Sequence, residues 1–200
     1  MSSGKNLHGL PWRVVSLYRF YMSQKNQQRI FLVGPMGAGK RTIVKSLALV
    51  TQKVFLDIDE EIVRFAKRSI PTIFQEDGES VFRQIETQVL KNCLKYDAII
   101  ATGGGIIGKE ENRAILKENG LVIYLHASVE TQYLRTLKDN GRPMIAVEDR
   151  RAKLNEIFNV RYPLYKEVAD LEIDTNTHTV HECVEQIKAK LKEMSWNLSL

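Results

Sequence analysis

The segment Gly34-Pro35-Met36-Gly37-Ala38-Gly39-Lys40 constrains this chain more than any other stretch. It follows a continuous apolar run, Ile30 to Val33, and precedes Thr42 to Val50, where Ile43, Val44, Leu47 and Val50 fall on one helical face. Strand, glycine loop and helix in that order form the setting in which a loop cradles phosphates. Glycines let the backbone curl so that successive N–H groups point inward, and the helix that follows presents its positive end. Lys40 then reaches the β- and γ-phosphates as a point charge. Gly34, Gly37, Ala38, Gly39, Lys40, Arg41 and Thr42 are the nucleotide-binding candidates. An ordinary glycine-rich turn is the bland alternative, and the strand-to-helix setting speaks against it.

From Arg29 onward, short apolar runs alternate with longer stretches of helical period, the pattern of an α/β domain with a parallel sheet. Val54 to Asp57, Ala98 to Ala101, Leu121 to Leu125 and Leu171 to Ile173 read as further strands. Phe82, Ile85, Val89 and Cys93 recur at spacings of three and four, which predicts a helix over Glu79 to Leu94 with Arg83 and Glu86 near its start. Val180, Val184, Ile187, Leu191 and Met194 form the stripe of a last helix, a packing surface and not a site. With 200 residues and 44% hydrophobic content, one core is expected, in a domain spanning residues 29–195.

The formal charge of +5 does not make this a nucleic-acid binder. Residues 1–28 hold Lys5, Arg13, Arg19 and Lys25 and no acid, which leaves 25 basic against 24 acidic residues for the rest. That segment reads as a loosely ordered basic extension, and Met22 would serve as an alternative first residue. An organelle transit peptide is a weaker reading, and Arg13 and Arg19 interrupt any secretory signal. No apolar run is long enough to span a membrane. Cys93 and Cys183 belong to no metal-ligand spacing and are expected to be reduced thiols, as in a cytoplasmic protein.

Four further groups carry chemistry. Asp57-Ile58-Asp59 ends the second strand, at the sheet edge where α/β proteins bind ligands, and strand alternation would put both carboxylates on one side. One acid could hold Mg²⁺ while the other orients or deprotonates an attacking hydroxyl; the plainer alternative is a helix cap with first-turn acids. Gly103-Gly104-Gly105 follows an apolar strand and admits close approach of a ligand. Asn140-Gly141-Arg142-Pro143 suits a mobile lid carrying one cation. Arg161, in Val160-Arg161-Tyr162-Pro163-Leu164-Tyr165, reads on its own as a surface helix arginine.

Taken together, FLVGPMGAGK, DID, FRQIE, ATGGG, GRPM and RYPLY resemble the shikimate kinase family in order and spacing, from about Arg29 to about Met194. The resemblance implies a three-layer P-loop kinase fold, with a five-stranded parallel sheet of order 2-3-1-4-5 flanked by helices and a mobile lid. It implies ATP-dependent phosphorylation of shikimate at its 3-hydroxyl, within chorismate and aromatic amino-acid biosynthesis, by a cytoplasmic monomer with ATP and Mg²⁺ as cofactors and no nucleic-acid or membrane partner. By residue, it implies that Asp57 assists the metal and that Asp59 binds the substrate hydroxyls and acts as base. Arg83 and Arg161 clamp the carboxylate, Glu86 holds them, and the amides of Gly103, Gly104 and Gly105 complete the pocket. Lys40, Asp59 and Arg142 are the catalytic set, with Arg142 touching both phosphates and substrate and Arg135 flanking the adenine.

One position departs from the pattern: Arg41 stands where a Ser or Thr would offer Mg²⁺ a hydroxyl. Thr42, turned by about 100° along the helix, does not replace it. Arg41 is expected to swing toward solvent and leave the ion to Asp57 and water. Two other readings stay open at this point: another small-metabolite or nucleotide P-loop kinase, or a catalytically weak ATP-binding regulator.

Overall fold

The computed structural model describes residues 29–137, 145, 147–194 and 196. The basic extension over residues 1–28 and the expected lid arginine Arg142 lie outside the described residues.

Five parallel strands, β1 (Ile30–Val33), β2 (Val54–Asp57), β3 (Ala98–Ala101), β4 (Leu121–His126) and β5 (Leu171–Asp174), form one sheet in the order β2-β3-β1-β4-β5. Ile30 pairs with Ile99 on one side and Leu121 on the other, so β1 is central. The connections are α1 (Lys40–Thr51), α2 (Ile58–Ala66), α3 (Ile70–Glu76), α4 (Gly78–Cys93), α5 (Glu110–Asn119), α6 (Val129–Thr136), α7 (Arg150–Val168) and α8 (Val180–Glu193). A short 3₁₀ turn, Ile106–Gly108, follows β3. No helix among the described residues is long and apolar enough to cross a membrane.

Strand alternation sorts the apolar residues into two layers. Ile30 and Leu32 of β1 face α1 and α8, packing with Ile43, Val44, Leu47, Val184, Ile187 and Leu191. Phe31 and Val33 face the opposite layer, with Ile62, Phe82, Val89, Leu90, Leu116 and Tyr165. Both faces of the sheet are therefore covered, as continuous apolar strands require. The α1 face differs in one position from the sequence reading: Val50 is exposed, and Ala48 and Thr51 are buried instead.

This topology fixes where a ligand can sit. The chain leaves β1 toward β2 on one side and later crosses to β4 on the other, so the loops after β1 and β3 flank the point where strand order reverses. Thr102 anchors them together: its N–H and its hydroxyl both donate to the Leu32 carbonyl, at 3.1 and 3.0 Å. The glycine turn after β3 is thereby tied to the strand that delivers the glycine loop.

Candidate active site

Gly34 leaves β1 with φ 147, and a β-carbon there would collide with the Leu125 carbonyl oxygen, so a side chain is excluded by both conformation and space. Gly39 precedes α1 with φ 82, no side chain caps that helix, and no acid occupies its first turn. The positive end of α1 is thus presented by the loop as the sequence requires. Lys40 Nζ donates to the carbonyls of Gly34 and Pro35 at 2.7 and 2.8 Å, which holds the ammonium against the loop. Thr42 is exposed on α1. Arg135 lies across the loop from α6, donating to Gly37 O at 3.1 Å and to Thr175 at the end of β5.

The acidic pair is arranged differently from a strand with both carboxylates on one side. β2 ends at Asp57 and α2 begins at Ile58, so Asp59 sits in the first helical turn. Asp57 Oδ1 accepts the Asp59 N–H at 2.9 Å: Asp57 is the helix cap, and its cap geometry is what turns Asp59 outward into an exposed position. Arg41 is exposed, but it does not swing free. Its Nη2 pairs with Glu60 and its Nε lies 3.9 Å from Asp57 Oδ2, because acids in the first turn of α2 face it.

Across from the loop, α4 supplies Arg83 and Glu86 one helical turn apart. Arg83 Nη1 donates to Glu86 Oε2 at 2.8 Å, and Arg83 Nε and Nη2 reach Glu79 Oε1 at 3.2 and 3.1 Å. Glu86 is fully buried, and its Oε1 has no hydrogen-bond partner among the described residues. Burial raises the Glu86 pKa above its ordinary value, Asp59 adds to the shift, and Arg83 and Arg161 oppose it. Burial also pulls on Arg83, but Glu86 and Glu79 outweigh it and its pKa rises.

The glycine turn is the floor on which these groups meet. Gly103 abuts Glu86 and Asp59, where an added β-carbon would lie 2.9 Å from Glu86 Oε1 and 3.1 Å from Asp59 Oδ1. Gly105 lies under the Arg83 guanidinium, with 2.7 Å between such a carbon and Cζ. Gly104 faces Gly34 and Met36 of the phosphate loop. Arg161 of α7 belongs to the same cluster, since it acts electrostatically on Glu86 and bonds to Tyr165. The structure therefore brings Asp59, Arg83, Glu86, Arg161 and Gly103 to Gly105 together beside the loop, while Arg135 stands on the loop's other flank.

A magnesium ion held mainly by phosphate oxygens and water needs only one or two carboxylates. Asp57 fits that part at the strand end, although Arg41 Nε lies close to its Oδ2. Among the described residues no group of three His, Cys, Asp or Glu could hold a metal by itself. Two residues at the site escaped the sequence reading. Glu60, the partner of Arg41, was legible only as a first-turn acid. Tyr165 lies four residues after Arg161 on one helix, a spacing that places both on one face although Pro163 stands between them.

Comparison with known proteins follows the same outline. The family model described as Shikimate kinase matches residues 36–192. A shikimate kinase of Thioalkalivibrio sulfidiphilus is 43% identical over 79% of this chain and 84% of its own length, and one of Marinomonas is 45% identical over 82% and 93%. Among solved structures, shikimate kinase from Acinetobacter baumannii in complex with shikimate superposes with a TM-score of 0.82 at 39% identity, covering 88% of this chain and 99% of that one. The Aquifex aeolicus shikimate kinase gives 0.74 at 29% identity, over 84% and 98%.

The buried carboxyl makes stability depend on pH. With the Glu86 pKa raised in the folded state, the native protein holds a proton that the unfolded chain has already lost above about 4.5, so stability falls as pH rises through that window. Urea denaturation of wild type and Glu86→Gln from pH 4.5 upward should show the difference moving in the variant's favour, then levelling off. A difference that stays constant would mean that Glu86 ionises at its ordinary value.

Proposed function

The chain belongs to the shikimate kinase family, and from that premise we propose that it transfers the γ-phosphoryl group of ATP to the 3-hydroxyl of shikimate, giving shikimate 3-phosphate and ADP. The observation that carries this reading is the meeting of Arg83, Glu86, Arg161 and Asp59 on a glycine turn that itself packs against the phosphate loop. Two cations and one exposed carboxylate beside a nucleotide site match an acceptor that has a carboxylate and a hydroxyl.

Arg83 and Arg161 bind the shikimate carboxylate, a role for which planar guanidinium groups are suited. Glu86 fixes the Arg83 guanidinium, so little side-chain freedom is lost when substrate binds. Asp59 orients the attacking hydroxyl and accepts its proton as the new O–P bond forms. The bond from the γ-phosphorus to the β–γ bridging oxygen breaks, and ADP leaves. Lys40 and the N-terminal end of α1 stabilise the charge carried by the phosphates. Arg142 would join them from the lid and Arg135 would flank the adenine, while the Gly103 to Gly105 amides line the acceptor pocket. Asp57, through water, would help to hold Mg²⁺, which when bound neutralises the β- and γ-phosphates. The working unit is residues 29–195 as a cytoplasmic monomer, with residues 1–28 outside it and no nucleic-acid partner.

A coupled assay of ADP release tests the reading. Shikimate should stimulate release strongly, and nucleoside monophosphates or gluconate should not; the reverse pattern would point to another small kinase. Asp59→Asn should lower kcat by at least about 10²-fold with the protein still folded. An unchanged kcat would return Asp59 to a purely local role in the first turn of α2.

Arg41 sets a second expectation. A guanidinium close to Asp57 competes with a divalent cation for the same carboxylate and repels it, while Glu60 draws off part of its charge. Arg41→Ser should lower the Mg²⁺ concentration needed for half-maximal ADP binding, read by calorimetry, and for half-maximal ADP release. Equal or poorer Mg²⁺ dependence in the serine variant would make Arg41 an adapted part of the site.

A further inference from the structure

One buried hydroxyl joins the parts of the acceptor site that come from different elements. Tyr165 Oη donates to the Gly104 carbonyl at 2.5 Å, and Arg161, one helical turn earlier on α7, is the charged group that acts on it. Its ring is buried and stacks on Tyr124 with 5.0 Å between centroids and 9° between planes, so the hydroxyl has no freedom to leave that position.

Both of these groups bear on the acceptor. Gly104 is the middle residue of a turn whose neighbours abut Glu86, Asp59 and Arg83, and it faces Gly34 and Met36 of the phosphate loop. A shift of this turn would loosen the floor on which the acceptor sits. Arg161 lies on α7 two residues before Pro163, which lacks an N–H and so removes one rung of the helical ladder. The helix around Arg161 thus has one backbone rung fewer than the uninterrupted α4 that carries Arg83.

We propose that Tyr165 is a positioning residue for the acceptor: its hydroxyl aims Arg161 and fixes the Gly103 to Gly105 turn without touching the substrate. The proposal rests on the shikimate reading, since it assigns the aimed guanidinium to the substrate's carboxylate. An arginine that must meet a planar anion on two atoms loses much of its value when its orientation is freed. Removing the hydroxyl also leaves the Gly104 carbonyl without its buried donor. Both effects weaken acceptor binding and spare the nucleotide.

The test is Tyr165→Phe, which keeps the ring and its stacking, set beside Tyr124→Phe. Tyr124 Oη contacts His126 Nδ1 at 3.0 Å, so the second variant removes a hydroxyl from the same stack that does not touch the turn or Arg161. Tyr165→Phe should raise the KM for shikimate about tenfold, with kcat and the KM for ATP within about twofold. Tyr124→Phe should leave the KM for shikimate within about twofold, even where both variants lose melting temperature. Calorimetric affinities for shikimate and for ADP, taken as a ratio on each variant, correct for any inactive fraction. An unchanged KM for shikimate in Tyr165→Phe, an equal rise for both substrates, or the same rise in Tyr124→Phe would overturn the proposal while wild type remains active. A wild-type chain that releases no ADP with shikimate would remove the functional reading first, and this proposal with it.

Discussion

The site depends on a buried carboxylate. Glu86 lies inside the protein with Arg83 as its ion-pair partner, and such a pair is weak evidence for stability because desolvation offsets the attraction. Its effect is geometric. The Arg83 guanidinium and the Glu86 carboxylate press against Gly105 and Gly103, where a methyl group would already overlap them. The glycine turn and the ion pair therefore define each other's positions. Thr102 then ties that turn to the Leu32 carbonyl, and Leu32 lies in the strand that runs into the phosphate loop. The glycine turn and the loop after β1 are held in register by β3 and β1, which pair.

The same arrangement explains which parts of the site were legible in the sequence. The loop from Gly34 to Lys40 was readable because a strand before it and a helix after it have strong, different periodicities. The strands were readable as apolar runs, but their order was not: 2-3-1-4-5 came from the resemblance, since periodicity says nothing about which strands pair. Asp57 and Asp59 were found as a pair, and the capping alternative holds for Asp57. One carboxylate caps the helix and thereby places the other in its first turn.

What sequence reasoning missed is what only three-dimensional proximity reveals. Arg161 on its own reads as a surface arginine and entered the clamp only through the resemblance; in the fold α7 packs against the 3₁₀ turn that follows the glycine turn. Tyr165 stands in the sequence only as the last residue of RYPLY, and only folding brings its hydroxyl to Gly104. Arg41 was recognised as a break in the loop pattern, but the expectation that it swings out to solvent missed its pairing with Glu60, an acid that appears in sequence only as part of a helix start. The local rules hold at each of these positions; the information that was lacking is which elements become neighbours.

The central claim is that two guanidinium groups, one fixed by Glu86 and the other by Tyr165, recognise a carboxylate on the acceptor. Calorimetry comparing shikimate with its methyl ester tests it directly, because the ester keeps the ring and hydroxyls and removes only the charge. The account predicts that the ester binds weaker by on the order of 10²-fold or more. Equal affinity for the two would contradict it.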